Sequence, residues 1–225
     1  MKSQQWEALD LSLDGSSLNR SVFQNVAKRL LDLLFATLGL ICFLPLVVLS
    51  ALLARIQSPG PIIYRAKRVG RGGRIFEMYK FRTMVANAES LGTGLTIYGD
   101  SRITKLGRFL RWTKWDEIPQ FLNVIKGDMS IIGPRPEAPA YVEYYTEVQK
   151  QVLQVRPGIT GPAQIANRDE EKKLEGQSHP EQYYITQLMP KKLEIDLDYI
   201  GNQSVAADLL WLLKTPFVIV FSHRC

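Results

Sequence analysis

Residues 33–54, LLFATLGLICFLPLVVLSALLA, decide the fold, because they form a run of 22 residues without a charged side chain. A helix rises about 1.5 Å per residue, so a helix of this length spans roughly 30 Å, the thickness of the hydrocarbon core of a bilayer. The run begins too far from the start of the chain for a signal peptide, and basic residues rather than a cleavage pattern follow it. The sequence therefore predicts a membrane-embedded helix.

Two features of this run favour a re-entrant hairpin. Pro45 lies near its middle, removes one backbone donor and frees the carbonyl of Ile41. Lys28 and Arg29 precede the run and Arg55 follows it, so the positive-inside rule places both ends in the cytoplasm. In a hairpin, residues 33–44 enter the bilayer and residues 46–54 return, since each half is too short to cross alone. A single span kinked at the proline and a buried core helix are the alternatives.

The net charge of +6 is unevenly distributed along the chain. Residues 55–114 contain 13 Lys and Arg and three acidic residues, a local charge of +10, so the remainder carries −4. This basic block directly follows the apolar run, which indicates contact with a membrane surface or with phosphorylated ligands. The sequence carries no signature of a nucleic-acid-binding protein. With two histidines and two cysteines in the chain, acid, base and nucleophile chemistry falls mainly to carboxylates.

The segment after the apolar run predicts a β-hairpin and an amphipathic helix. Residues 62–64 and 75–81 have the composition of strands and flank a glycine-rich turn at 70–73. In residues 102–114 a cation recurs at every third position beside an apolar face. This helix either lies on acidic headgroups or presents a solvated face above a core. Because no carboxylate is interspersed among its cations, contact with lipid or phosphate is favoured.

The C-terminal third of the sequence contains mixed signals. Residues 169–175 are expected to form a charged, solvated helix, whereas residues 193–199 alternate apolar and charged side chains as a strand does. Ser204 can cap a final amphipathic helix that contains residues 209–213. Thr215 and Pro216 are expected to end that helix.

The most informative segment is residues 115–120, WDEIPQ. Pro119 is tolerated in the first turn of a helix but not deeper, so a helix is predicted from about Asp116 to about Lys126. Asp116 and Glu117 then lie at its N-terminus, where the helix dipole favours ionised carboxylates. Such a pair suits a metal ligand or a carboxylate nucleophile, and an ordinary acidic helix cap is the structural alternative.

Two further segments present an arginine next to proline. Prolines on both sides of Arg135 in residues 133–137, GPRPE, restrict its backbone. Arg156 precedes a proline in residues 156–162, RPGITGP, where glycines allow the backbone to approach a ligand. Both segments suit a fixed bidentate contact with phosphate, and each also suits a structural turn with an exposed arginine.

In this order, the motifs resemble those of the small monotopic phosphoglycosyl transferases, the bacterial sugar transferase family that initiates glycoconjugate assembly on polyprenol phosphate. The likeness runs from about residue 28 to residue 215. It rests on residues 80–84 (KFRTM), 116–120 (DEIPQ), 123–130 (NVIKGDMS), 133–137 (GPRPE) and 155–161 (VRPGITG). One departure is Leu44 before Pro45, where many family members carry a serine.

The resemblance implies a mainly α fold with a short β-hairpin, in the α+β class. A re-entrant membrane helix and amphipathic interfacial helices would surround a compact cytoplasmic catalytic domain, with helix rather than strand over residues 193–199. We expect an N-terminal extension over residues 1–27, the membrane helix broken at Pro45 over 28–57, and the catalytic domain over 58–225. The implied location is the cytoplasmic face of the bacterial inner (plasma) membrane.

The resemblance also implies the chemistry. A sugar-1-phosphate would pass from a nucleotide diphosphate sugar, by family habit a UDP-sugar, to polyprenol (undecaprenyl) phosphate, which initiates exopolysaccharide, capsule, O-antigen or glycoprotein glycan synthesis. Asp116 and Glu117 would form the catalytic dyad and hold Mg²⁺, with a covalent phosphosugar on Asp116. The cations expected to bind substrate phosphates are Lys80, Arg82, Arg111, Arg135 and Arg156.

Two alternatives remain open. In one, Asp116 only binds the metal, and the lipid phosphate attacks the donor directly. In the other, the protein is an inactive membrane scaffold that binds anions, which the basic block alone would support equally well. The presence of both acidic residues of the dyad counts against the scaffold. The residues that distinguish one hexose from another are expected in the stretches 89–100 and 167–187.

The re-entrant hairpin makes a prediction about topology. Cysteines introduced near positions 25 and 58 should both be labelled only from the cytoplasmic side, because the basic flanks hold both ends there. Labelling from opposite sides would indicate a single span. Pro45→Ala restores the missing donor and allows a continuous spanning helix, so part of the population should span and activity should fall. A variant with both ends cytoplasmic and full activity would show that the bend has another cause.

Overall fold

The computed structural model describes residues 22–57, 60–88 and 94–221. The helices are α1 (Val22–Gln57), α2 (Lys105–Thr113), α3 (Gln120–Lys126), α4 (Pro139–Val142), α5 (Pro162–Ala166), α6 (Glu170–Leu174), α7 (Pro180–Tyr183), α8 (Met189–Gly201) and α9 (Val205–Phe221). The strands are β1 (Ile63–Val69), β2 (Ile75–Phe81), β3 (Ser130–Ile132) and β4 (Gly158–Thr160). Short 3-10 segments at Arg71–Gly73, Trp115–Glu117 and Gln149–Gln154 and a π-helical turn at Tyr184–Leu188 connect them. This helix-rich architecture with short sheets agrees with the predicted α+β class.

Helix α1 is apolar and mostly exposed. Its segment Phe23–Leu53 is the only stretch in the described part of the chain that is long and apolar enough to cross a membrane. The most apolar window of 18 residues has a mean hydropathy of 2.5, and 11% of it is buried. Apolar surface of this extent is unfavourable in water, so α1 is not the core helix of a soluble protein. The exposed apolar surface indicates association with a membrane.

Pro45 lies inside α1, and helical residues continue on both sides of it. Before the proline, α1 packs on the rest of the protein: Ala36 is fully buried, and Phe43 stacks on Phe121 of α3 with ring centroids 6.5 Å apart. The helix begins at Val22, earlier than the predicted membrane segment, and residues 1–21 of the expected extension lie outside the described residues. The re-entrant topology stays a prediction.

The first turns of α1 are joined to the rest of the protein by buried polar contacts. Lys28 Nζ donates to the Asp208 carboxylate of α9 at 2.7 Å and to the carbonyl of Ile132 at 3.1 Å. The carboxylate of Asp32 accepts from the hydroxyl of Ser130 at 2.9 Å and from the N–H of Ile131 at 3.0 Å. Buried polar groups with partners on other elements hold α1, β3 and α9 in one arrangement.

The predicted hairpin is confirmed. Strands β1 and β2 pair antiparallel, from Ile63 opposite Phe81 to Val69 opposite Ile75, around the glycine turn. The first strand extends well beyond the predicted residues 62–64, because pairing with β2 continues to the turn. This hairpin carries Lys80 towards the turn that contains Asp116 and Glu117.

Helix α2 also forms as an amphipathic helix, and it begins three residues later than the first cation of its basic stripe. Thr104 caps it by accepting from the N–H of Gly107 at 2.9 Å. A Cβ at Gly107 would lie 1.9 Å from the carbonyl oxygen of Thr83, so glycine is required for this close approach. On the other face, Phe109 and Trp112 are exposed.

Asn123 of α3 ties this helix to β2. Its side chain is fully buried, its Nδ2 donates to the carbonyl of Glu77 at 2.7 Å, and its Oδ1 accepts from the N–H of Tyr79 at 2.9 Å. One amide side chain thus satisfies two backbone groups of the strand that carries Lys80.

A second, parallel pair of strands was not predicted from the sequence. Ser130 lies opposite Gly158, and Ile132 lies opposite Thr160. The pair brings the two proline-flanked arginine segments side by side, since the N–H of Gly158 donates to the carbonyl of Pro134 at 2.8 Å. A Cβ at Gly158 would lie 2.2 Å from the amide nitrogen of Gly133. The close approach that this glycine allows is therefore between two backbone segments, not between a backbone and a ligand.

The C-terminal helices resolve the mixed signals in the sequence. Residues 193–199 lie in α8, as the family resemblance implied. Ser204 caps α9 as predicted, because its Oγ accepts from the N–H of Ala207 at 3.1 Å. The predicted end at Thr215 and Pro216 is wrong, since α9 continues to Phe221. Thr215 Oγ1 donates to the carbonyl of Trp211 at 2.8 Å, and Pro216 removes a single backbone donor from the helix.

The contacts of Asn123 predict a specific loss of stability. Asn123→Ala leaves the carbonyl of Glu77 and the N–H of Tyr79 without partners, so the free energy of unfolding should fall by about 2–4 kcal/mol. Unfolding in detergent measures this loss. Asn202→Ala is the control, because its exposed amide contacts only Asp198, one turn earlier, and it should change stability by less than roughly 0.5 kcal/mol. Equal effects of the two substitutions would contradict the role assigned to Asn123.

Candidate active site

Asp116 and Glu117 lie in the 3-10 turn between α2 and α3. The sequence predicted a helix from about Asp116, but α3 begins only at Gln120, after Pro119. Lys114 ends α2 with a left-handed backbone, φ 60°, which turns the chain before the acidic pair. Both acidic residues therefore precede α3 instead of forming its first turn.

Glu117 contacts two cations. Lys80 Nζ from β2 donates to its Oε1 at 2.9 Å, and Arg135 Nη2 lies 3.6 Å from the same oxygen. Burial alone would raise the pKa of Glu117, but the charges of Lys80 and Arg135 outweigh burial and hold the pKa well below its usual value. Glu117 is thus ionised and links a residue of the hairpin to the residue between the two prolines.

Asp116 has a different environment. It is 6% exposed, and its Oδ1 has no hydrogen-bond partner among the residues that the structure describes. Burial raises the pKa of this carboxyl and Glu117 raises it further, whereas Lys80, Lys114 and Arg111 oppose the increase. A buried carboxyl oxygen without a partner is unfavourable unless a ligand completes it, and perturbed groups of this kind cluster at functional sites.

The donor set fits Mg²⁺ at Asp116 better than at Glu117. Mg²⁺ takes oxygen ligands, and protein sites commonly supply one or two carboxylates while substrate phosphates and water supply the rest. Asp116 Oδ1 is available for such a contact, whereas Glu117 Oε1 already contacts two cations. Within the described ranges, no group of three or more His, Cys, Asp or Glu side chains forms a complete metal site. Magnesium binding here would therefore depend on substrate oxygens.

Arg111 reaches the same region from α2. Its Nε donates to the hydroxyl of Thr83 at 2.9 Å, and its Nη1 lies 3.4 Å from the carboxylate of Glu171. Its charge also lowers the pKa of Asp116, against the effect of burial. Lys80, Arg111 and Arg135 are thus the three predicted cations that the structure brings close to the dyad. Arg82 is the first residue after β2. Its guanidinium lies against Gly60, three residues after the end of α1.

Arg156 lies away from the acidic dyad. Its Nε donates to the carbonyl of Gly127 at 2.9 Å, at the C-terminal end of α3, whereas Asp116 precedes the N-terminal end of that helix. Burial lowers the pKa of Arg156, and the guanidinium groups of Arg29 and Arg71 lower it further. The structure does not bring this arginine together with the dyad, and its contact with a substrate phosphate stays a prediction.

Sequence reasoning missed a buried lysine that pairs with two glutamates, one of them in the GPRPE motif. Lys192 of α8 is 4% exposed, and its Nζ lies 3.1 Å from Glu137 Oε1 and 2.8 Å from Glu170 Oε2. The sequence signal was weak, because Lys192 follows another lysine in a stretch that alternates charged and apolar residues. Glu137 ends the GPRPE motif, and Glu170 lies in the stretch 169–175 that the sequence predicted to be a solvated helix, so neither was expected to pair with a buried lysine.

The sequence is similar to those of known proteins. The family model for bacterial sugar transferases matches residues 23–222. The chain is 38% identical over 194 residues to a UDP-glucose:undecaprenyl-phosphate glucose-1-phosphate transferase of Caulobacter vibrioides, a match that covers 85% of this chain and 68% of that protein.

Two other relatives are longer. The chain is 38% identical to a UDP-N-acetylgalactosamine-undecaprenyl-phosphate N-acetylgalactosaminephosphotransferase of Aeromonas hydrophila, over 89% of this chain and 45% of that protein. It is 39% identical to a UDP-glucose:undecaprenyl-phosphate glucose-1-phosphate transferase of Escherichia coli (strain K12), over 86% of this chain and 39% of that protein. The chain thus spans less than half the length of these two relatives. Since the family match includes the membrane helix, the hairpin and the acidic dyad, the chain belongs to the bacterial sugar transferase family.

Proposed function

We propose that the protein transfers a sugar-1-phosphate from a nucleotide diphosphate sugar, specifically a UDP-sugar, to polyprenol (undecaprenyl) phosphate at the cytoplasmic face of the membrane. The observation that carries this proposal is the unpartnered, buried Oδ1 of Asp116 among the charges of Lys80, Arg111 and Arg135. The exposed apolar helix α1 supports a location at a membrane, where a lipid acceptor is available. The names of the three relatives above also support a UDP-sugar and undecaprenyl phosphate as substrates.

The proposed reaction has two displacements at one phosphorus. A carboxylate oxygen of Asp116 forms a bond to the β-phosphorus of the donor, the bond from that phosphorus to the bridging oxygen breaks, and nucleoside monophosphate leaves with the electron pair. A phosphate oxygen of the lipid then bonds to the same phosphorus, and the bond to Asp116 breaks, which regenerates the carboxylate. Two steps allow a soluble substrate and a lipid substrate to use one site in turn.

The neighbouring residues have roles that follow from their charges. Arg111 and Arg135 are suited to bind phosphate oxygens, and Lys80 adds a third positive charge beside the dyad. Glu117 holds Lys80 and Arg135 in place through its Oε1. Mg²⁺ bound at Asp116 would neutralise part of the negative charge of the donor diphosphate.

The surface beside α1 supports an acceptor site. An apolar cavity of about 460 Å³ lies between the second half of α1 and the start of β1, and its lining residues are Val47, Val48, Ala51, Leu52, Arg55, Gly60, Pro61 and Ile62. The Arg82 guanidinium lies against Gly60 at this cavity. Because Arg82 follows Lys80 by two residues in extended chain, both side chains point to the same face. The prenyl chain would occupy the cavity, with its phosphate directed towards Arg82 and the dyad.

The proposal predicts that Asp116→Asn abolishes turnover. The substitution keeps the size of the side chain but removes the nucleophile, so release of nucleoside monophosphate from a panel of nucleotide sugars should fall at least about 1,000-fold. The variant should remain in the membrane fraction with an unchanged thermal unfolding midpoint. Asp198→Asn, at an exposed carboxyl on α8, is the matched control and should keep full activity. Near-normal activity of Asp116→Asn would disprove the assignment.

The covalent route has its own prediction. Incubation with a donor labelled in the sugar, without lipid, should leave a phosphosugar on Asp116 that mass spectrometry of the intact protein detects. Direct attack by the lipid phosphate forms no such adduct. If a broad donor panel releases no nucleotide even with lipid acceptor present, the protein is instead an anion-binding membrane scaffold.

A further inference from the structure

We propose that Tyr98 and Glu171 bind the hexose of the donor. The ring of Tyr98 packs against the sugar, and the carboxylate of Glu171 accepts hydrogen bonds from its hydroxyl groups. The inference rests on the proposed function, because the sugar is part of the group that the proposed reaction transfers. Each residue lies in one of the two stretches, 89–100 and 167–187, in which the sequence predicted the residues that distinguish hexoses.

The structure joins these two stretches through their backbones. The N–H of Tyr98 donates to the carbonyl of Glu171 at 3.2 Å, although the two residues are far apart in the chain. Glu171 lies in the first turn of α6, and the adjacent Glu170 pairs with the buried Lys192 of α8 at 2.8 Å. Helix α6 is thus joined both to the loop of Tyr98 and to α8, which gives Glu171 a defined position.

Tyr98 lies in a turn that fixes its backbone and exposes its side chain. The N–H of Asp100 donates to the carbonyl of Ile97 at 3.2 Å, which closes a turn with Tyr98 and Gly99 in its central positions. Gly99 has a φ of 75°, a left-handed conformation that is common at the third residue of such turns. Asp100 is itself held by Arg102, whose Nη2 lies 2.6 Å from its carboxylate. Since Tyr98 is 55% exposed, its ring is available to a ligand.

Glu171 lies beside an arginine that the proposed function assigns to phosphate. Its Oε1 is 3.4 Å from Nη1 of Arg111, and Nε of the same guanidinium donates to the hydroxyl of Thr83 at 2.9 Å. Charged hydrogen bonds of this type are usually about 2.7–2.9 Å long, so the contact between Arg111 and Glu171 is loose. The Glu171 side chain is 48% exposed, and its carboxylate therefore keeps acceptor positions for a ligand.

Arg111 also connects this pair of residues to the reacting phosphorus. It lies in the last turn of α2, which leads into the turn of Asp116, and its charge lowers the pKa of Asp116 against the effect of burial. In the proposed reaction, Asp116 attacks the phosphorus that carries the sugar, whereas the nucleoside is attached to the other phosphate. A phosphate bound by Arg111 next to Asp116 thus has the sugar as its neighbouring group. Because Glu171 contacts this same arginine, the sugar of a bound donor lies within its reach.

The two side chains match the chemistry of a hexose. A hexose has an apolar face of C–H groups and a rim of hydroxyl groups. The ring of a tyrosine packs against such an apolar face, while its own hydroxyl stays in contact with water. An ionised carboxylate only accepts hydrogen bonds, and each sugar hydroxyl can donate one. Since epimers differ in the direction of a single hydroxyl, a carboxylate held at a fixed position distinguishes them.

The test compares UDP-sugars with UDP, which lacks the hexose. The full chain is purified in detergent with Asp116→Asn as the common background, because this substitution prevents formation of the proposed covalent adduct during the measurement. Isothermal titration calorimetry with Mg²⁺ gives the Kd of UDP, UDP-glucose, UDP-galactose and UDP-N-acetylgalactosamine. The decisive quantity is the Kd of the most tightly bound UDP-sugar divided by the Kd of UDP.

In that background, Glu171→Ala and Tyr98→Ala should each raise this ratio roughly 10-fold, the effect of losing one hydrogen bond or one packed ring. Loss of Glu171 also frees Arg111 for phosphate, but this affects UDP and UDP-sugars alike and cancels in the ratio. Tyr98→Phe keeps the ring and should keep most of the affinity. The matched controls are Glu175→Ala, at an exposed carboxyl that follows α6, and Tyr144→Ala, at an exposed tyrosine, and both should leave the ratio unchanged.

Each contrary outcome has a defined meaning. An unchanged ratio in either Glu171→Ala or Tyr98→Ala would overturn the proposal. If the Kd of UDP rises as much as that of the UDP-sugar, the two residues bind the nucleoside, and the assignment to the hexose is wrong. It is also wrong if the protein binds none of the UDP-sugars. Failure of the proposed function is a separate result, because release of UMP by Asp116→Asn would refute the assignment of the nucleophile while the ratio still reports on the sugar site.

Discussion

The contact of Lys80 and Arg135 with the carboxylate of Glu117 is the interaction on which the candidate site depends. Lys80 comes from the hairpin, Glu117 from the turn between α2 and α3, and Arg135 from the segment after β3. Because Glu117 is occupied by these cations, its neighbour Asp116 keeps an oxygen without a partner. The two adjacent acidic residues thus differ in their surroundings: the carboxylate of Glu117 is paired with two cations, and that of Asp116 has an oxygen without a hydrogen-bond partner among the described residues.

Hydrogen bonds connect helix α1 to the strand that leads to the candidate site. Asp32 of α1 accepts hydrogen bonds from Ser130 and Ile131, which form the strand that leads directly into the segment of Arg135. Lys28, one turn earlier, contacts Asp208 of α9. These contacts fix the position of β3, and of the segment that carries Arg135, relative to the exposed apolar helix α1. If the proposed function holds, they also connect the candidate site to the membrane that contains the lipid substrate.

Much of the fold and of the candidate site could be predicted from the sequence, because the sequence signals are local. The apolar run, the two strands around a glycine turn, the cap at Ser204 and the acidic pair before Pro119 each depend on residues close together in the chain. The helix over residues 193–199 was ambiguous, since alternation of charge fits a strand and also the boundary between a buried and an exposed helix face. The end predicted at Pro216 was wrong, because a proline removes one backbone donor but does not by itself end a helix, and α9 continues through it to Phe221.

By itself, the sequence determined the class of fold, the membrane helix and the identity of the acidic pair. It also determined the family, because the motifs occur in a specific order. Only the tertiary structure decided which cations meet the dyad: it brings Lys80, Arg111 and Arg135 to it and leaves Arg156 at the far end of α3. It also revealed Lys192, whose partner Glu137 is 55 residues away in the chain. Periodicity and turn chemistry report on neighbours in sequence, whereas the pairing of buried charges depends on which distant elements pack together.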